Sequence, residues 1–163
     1  MSQQPEAQFW STLKRNLPKH WFVNRIENRM GGGVPDLYIC IDGKSLWLEL
    51  KVTKSHRVNV SPNQIAWHYS FNRSQGASFF LVKTLPSSTL FLFEGTHGRG
   101  LAEHGVKFGV RDSGSLDSGS LDSGSLDSGS LDSGSQTVVP CAWSGDTYKG
   151  LIDYLKLSTD LST

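Results

Sequence analysis

An α/β domain is the fold class this sequence predicts, and three observations predict it. Apolar residues recur at helical spacing near the start of the chain and again over 62–73. Short runs rich in β-branched and aromatic residues occupy 21–26, 36–41, 46–51, 78–83 and 89–94. Turn residues punctuate the runs, so the order reads αβββαββ, then a low-complexity insert, then a last helix over about 146–157.

Each element has its own reason. Pro5 suits a first helical turn, and Phe9, Trp10, Leu13 and Leu17 follow at helical spacing until Pro18 stops the run. Glu6 lies beside that stripe, where it either reaches toward a cleft or complements the positive end of the helix dipole. A glycine run, Gly31 to Gly33, separates the first two strands; it reads as a flexible connection more readily than as a phosphate cradle, because no helix follows it. Asp42-Gly43 is a hairpin signal. In the third strand alternation puts Leu48 and Leu50 on one face and Trp47, Glu49 and Lys51 on the other. Ser61 caps a helix opened by Pro62 and ended by Gly76, with Gln64 one turn from Trp67 and His68. Asp146 is the expected cap of the last helix, which carries Leu151, Ile152 and Leu155. Trp10, Trp21, Trp47 and Trp67 sit among apolar neighbours and read as packing residues; Trp143 has no assignment.

Between Asp112 and Ser135 the pentad Asp-Ser-Gly-Ser-Leu repeats, with the last copy lacking its leucine. So little apolar surface cannot offset the entropy of ordering the chain, so a disordered tether is expected. Calcium binding by the spaced aspartates is the sharper alternative, but the period is wrong for known β-roll repeats. Residues 1–111 and 136–163 are then expected to form one domain around this insert. The whole chain carries +1, but the insert holds five aspartates and no Lys or Arg, leaving 16 basic against 10 acidic residues elsewhere, a net +6. That excess suits a polyanionic partner without proving one. Cys40 and Cys141 have neither disulfide-framework nor zinc-site spacing, and the five histidines form no HxH or HExxH set. No apolar run is long enough to span a membrane and the N-terminal residues do not resemble a signal peptide, so a soluble cytoplasmic protein is expected, in the host cytoplasm if phage-encoded.

The chemistry concentrates in Pro35-Asp36 and Glu49-Leu50-Lys51. Hydrolysis of a phosphodiester needs an activated water and neutralisation of charge growing on phosphate and leaving oxygen. A hard cation such as Mg²⁺ serves both needs and takes one or two carboxylates, which Asp36 and Glu49 supply from adjacent strands. Lys51, on the same strand face as Glu49, can orient the water or stabilise the transition state. Pro-Asp at a strand start and Glu-Leu-Lys on a half-exposed strand are each ordinary; their order, short separation and intervening hairpin favour a site. Arg25 and Arg29 before the glycine turn, and Lys54, His56 and Arg57 after the third strand, are candidate phosphate contacts or plain surface charge.

Val34-Pro35-Asp36-Leu37, Glu49-Leu50-Lys51 and Ser61-Pro62-Asn63-Gln64-Ile65-Ala66-Trp67 resemble the PD-(D/E)XK nuclease superfamily, especially its VRR-NUC and Holliday-junction-resolvase-like branch of phages and bacteria. The resemblance implies a restriction-endonuclease-like core, a mixed sheet flanked by helices in the order αβββαβ with a C-terminal extension here. It implies Mg²⁺ or Mn²⁺ held at Asp36, Glu49 and Leu50, catalytic help from Lys51, support from Gln64 and a first-helix carboxylate at Glu6. The expected activity is metal-dependent endonucleolytic cleavage of branched or structured DNA by a homodimer. Two other readings stand beside it: an inactive DNA-binding or assembly module of the same fold, and a nuclease of RNA or single strands.

Overall fold

One six-stranded sheet organises the chain. The computed structural model describes residues 5–26, 32–108 and 141–160; the repeats at 112–135, with the tether expected there, lie outside the described residues, as does Arg29. Helix α1 (Pro5–Asn16) precedes strands β1 (Phe22–Arg25), β2 (Leu37–Ile41) and β3 (Lys44–Thr53), followed by α2 (Pro62–Arg73), β4 (Ala77–Thr84) and β5 (Leu90–Glu94). A short 3₁₀ turn leads into α3 (Gly98–His104), and after the undescribed residues β6 (Trp143–Gly145) and α4 (Tyr148–Asp160) close the fold. Spatial order equals sequence order, β1 to β6. All neighbours are antiparallel except β3 and β4, which run parallel because α2 carries the chain back across the sheet. The sheet is therefore mixed and flanked by helices, and its first six elements have the αβββαβ order of a restriction-endonuclease-like core.

The β2–β3 connection is the two-residue turn the sequence predicts: Asp42 and Gly43 both have positive φ, 48° and 84°, matching the twist of the hairpin. Strand β3 is longer than the 46–51 segment read from alternation, because β4 pairs with it from Leu46 to Thr53 while β2 covers only Lys44 to Leu48. Its second half thus projects beyond β2. One sheet face carries a buried apolar core: Leu37, Ile39, Leu46, Leu48, Leu50, Leu81 and Leu92 cluster with Phe9 and Leu13 of α1 and Leu151 and Leu155 of α4. On the opposite face Phe80, Val82 and Phe93 pack under Leu101 of α3 and Val58 and Val60 of the β3–α2 loop.

Several local expectations change. Gln75, with φ 65°, takes the left-handed position after α2 in place of Gly76, whose backbone lies so near the Phe71 ring that a Cβ would come within 2.3 Å. Thr147, not Asp146, caps α4: its hydroxyl accepts from Gly150 N–H at 3.3 Å. Strand β6 and helix α3 were not legible in the sequence. The first is three residues long; the second, Gly-Arg-Gly-Leu-Ala-Glu-His, has poor intrinsic helicity and is held by fully buried Leu101 and by Gly98 against Phe80. Trp143 packs on Gly145 and Gly150. Trp21 is buried, while Trp10, Trp47 and Trp67 are half-buried.

Candidate active site

Register brings the two carboxylates together. Leu37 pairs with Leu48, so continuing the antiparallel count one step places Asp36 opposite Glu49, just where β2 ends and β3 runs on. Beyond that point the Leu50 N–H has lost its strand partner, and Asp36 Oδ2 accepts it at 2.9 Å. Asp36 is anchored in turn by its main chain, whose carbonyl accepts from Ile26 N–H at 2.7 Å. In an extended strand a residue's N–H and C=O point to the same side, so the Leu50 carbonyl also faces the Asp36 side.

Glu49 is buried, its side chain 4% exposed. One oxygen, Oε1, is pinned twice: Lys51 Nζ lies 3.0 Å away, and Gln64 Nε2 donates to it. The other oxygen, Oε2, is buried with no hydrogen-bond partner. Burial first and the Asp36 charge second push the Glu49 carboxyl up to about 7, while Lys51 pulls the other way and Glu6 adds a weak upward push. Burial likewise raises Asp36 above the ordinary carboxylate range, against the Leu50 hydrogen bond and the charges of Lys51 and Arg25. Glu6, exposed in the first turn of α1, and Arg25, exposed at the end of β1, are therefore within electrostatic reach of the pair.

Gln64 reaches Glu49 because its own base is locked. It is the fourth residue of a capping box: Ser61 Oγ accepts from Gln64 N–H at 3.3 Å, and Gln64 Oε1 accepts from Ser61 N–H at 3.0 Å. The glycine turn presses on the same spot. Gly33, at φ 101°, lies so close to the Asn63–Gln64 peptide that a Cβ would fall 2.4 Å from the Asn63 carbonyl. Gly33 is thus required for close packing of this turn against the start of α2, a role distinct from both a loose connection and a phosphate cradle.

Lys54, His56 and Arg57 are exposed on the β3–α2 loop. That loop is tied down from beneath. Thr53 Oγ1 bonds the Arg57 carbonyl at 2.7 Å, and the His56 carbonyl accepts from Val106 N–H at 2.8 Å. Its basic side chains therefore stand outward into solvent. A separate groove between α2 and α3, lined by Pro62, Ile65, Tyr69 and Arg99, lies outside this constellation.

Two carboxylates, one of them with a bare buried oxygen, and a strand carbonyl suit a hard divalent cation that completes its shell with water. Among the described residues no group of three or more His, Cys, Asp or Glu side chains converges, so an all-protein cage of the zinc kind is not present there. Sequence reasoning placed Asp36, Glu49, Lys51 and Gln64, but missed His68 and Ser78, both fully buried beside this group. Serine and histidine ten residues apart give no pattern; only the sheet and helix bring them together.

No protein-family profile matches the chain, and neither does any curated protein. Among solved structures, Hjc, a Holliday junction resolvase from the archaeal hyperthermophile Archaeoglobus fulgidus, is similar at 16% sequence identity with a TM-score of 0.43. The match covers 55% of this chain and 74% of that one. Among the described residues no helix is long and apolar enough to cross a membrane.

Proposed function

We propose that this protein is a metal-dependent endodeoxyribonuclease selective for branched or structured DNA. The observation that carries the reading is the state of Glu49: one oxygen clamped by Lys51 and Gln64, the other buried and bare, beside Asp36 at the projecting end of β3. A buried polar atom without a partner is costly, and a carboxylate held that way is poised for a ligand. Asp36, Glu49 and the Leu50 carbonyl would hold Mg²⁺ or Mn²⁺, which when bound would lower the pKa of a water and draw charge from the phosphate. Lys51 holds its ammonium at Glu49 Oε1, where it would orient an attacking water and offset the negative charge of the transition state. Gln64 keeps Glu49 from rotating. Arg25, Lys54, His56 and Arg57 supply contacts to flanking phosphates, which position DNA without reading its sequence; Arg29 is a further candidate. Glu6, within electrostatic reach of Glu49, is the further carboxylate that would tune the site's charge.

Branched DNA, and a homodimer that would present two sites to a junction, rest on the motif resemblance and on the symmetry of such a substrate. Incubation of a purified four-way junction with the protein and Mg²⁺ or Mn²⁺ tests the proposal, with Asp36→Ala as the contamination control. Cleavage lost in the variant is expected. Tight binding with intact DNA in both metals would defeat the enzyme reading in favour of a binding module, and a panel of single-stranded DNA and RNA would identify a different substrate.

A further inference from the structure

A buried polar chain under α2 has no part in the mechanism so far. Asn72 Nδ2 donates to the Ser78 carbonyl at 3.4 Å, which turns its Oδ1 toward the Ser78 hydroxyl. An amide oxygen only accepts, so the hydroxyl donates to it. Ser78 Oγ is then left to accept from His68 Nδ1, 2.8 Å away. That polarity fixes the tautomer: the proton sits on Nδ1, and Nε2 is a lone pair. Burial first and the Lys51 charge second push the His68 pKa down to about 4, so the ring is neutral across the physiological range. Gly95 seals the group, since a Cβ there would come 2.3 Å from Ser78 Oγ and 2.9 Å from His68 Nδ1.

His68 Nε2 is buried and has no hydrogen-bond partner. Its place over the sheet brings it within electrostatic reach of one donor, Lys51. His68 is one helical turn beyond Gln64, on the same face of α2, and its ring lies over Phe80 with centroids 4.0 Å apart. Phe80 is the cross-strand partner of Glu49. Lys51 folds back along β3 to bring Nζ to Glu49 Oε1, which sets the ammonium over the same rung. Glu49 takes one of the three donors of that ammonium.

We propose that His68 is a positioning residue for Lys51: its Nε2 lone pair holds the ammonium over Glu49 through one water, and the Ser78–Asn72 relay fixes the tautomer that makes this possible. The proposal rests on the nuclease reading for its consequence in turnover, but the contact itself does not depend on it. His68→Asn keeps a donor toward Ser78 and deletes the distal acceptor; His68→Gln restores an acceptor at that distance. With a junction substrate and Mg²⁺, His68→Asn is expected to lower kcat by about tenfold with KM unchanged, His68→Gln to recover most of it, and His68→Asn to add no loss in a Lys51→Ala background. In metal-free protein without DNA, ¹⁵N NMR of His68 is expected to show an unprotonated Nε2 whose resonance moves in Lys51→Met. Equal loss in both His68 variants, or additivity with Lys51→Ala, would reduce His68 to a packing residue. An Nε2 resonance insensitive to Lys51→Met would overturn the contact even if no cleavage were ever found, and a sensitive resonance without cleavage would keep the contact while removing the enzyme.

Discussion

The two faces of one sheet are built to different rules. Under α1 and α4 the buried strand residues are apolar, and side chains such as Leu37, Ile39, Leu46, Leu48, Leu81 and Leu92 are fully buried. Under α2 the same strands bury Glu49, and with it His68 and Ser78, among Phe80, Val82 and Phe93. Apolar burial stabilises at about 25 cal/mol per Å², whereas a buried carboxylate with a bare oxygen costs free energy unless something binds it. Alternation along β3 joins the two rules in one strand, since Leu48 and Leu50 face the first layer and Glu49 and Lys51 the second. The second side keeps an apolar core of its own but adds a buried polar arrangement to it.

Substitution of adjacent residues gives the widest separation between the faces. Leu48→Ala should cost about 2–5 kcal/mol, read as a lowered denaturation midpoint, because a fully buried leucine leaves a cavity. Glu49→Gln, one residue on, should abolish cleavage while leaving stability at pH 8 equal or higher. A Glu49→Gln protein as unstable as Leu48→Ala would erase the distinction.

Proton linkage sharpens it further. The Glu49 carboxyl titrates near 7 when folded against 4.5 when free, so between those values the folded state binds more protons than the unfolded chain. Its contribution is fully present below about pH 4.5 and is lost as pH rises through 7, a change of order 3 kcal/mol; the raised Asp36 acts in the same direction. Urea titrations from pH 5 to pH 8 should therefore show falling stability in the wild type and a flatter profile in Glu49→Gln. Identical slopes would mean that Glu49 is not the group responsible.

The smallest effect is at the capping box. Ser61→Ala should cost about 1 kcal/mol and, because the Gln64 side chain spans Ser61 N–H and Glu49 Oε1, should also lower turnover several-fold. An ordinary cap would change the melting midpoint alone, with kcat untouched.

Much of this was legible from residue order, for reasons that are local. Period-two alternation set the faces of β3, Asp42-Gly43 specified a tight hairpin by its tolerance of positive φ, and Ser61-Pro62 began α2 by capping chemistry. The hairpin in turn fixed the register that brings Asp36 opposite Glu49, so the carboxylate pair could be read before any coordinates. Other features had no local cause to read. Helix α3 exists because Leu101 and Gly98 find Phe80, and β6 because β5 offers it a free edge.

What the amino-acid order determined by itself is therefore the αβββαβ frame and the pairing of Asp36 with Glu49 and Lys51, since turn geometry and side-chain alternation act over a few residues. Only the tertiary structure decided that Glu49 is left with one bare oxygen, that Gly33 is pressed onto the Asn63 peptide, and that His68, Ser78 and Asn72 form a relay with a defined proton. Desolvation and hydrogen-bond polarity depend on everything packed around a group, and that surrounding is assembled from segments far apart in the chain.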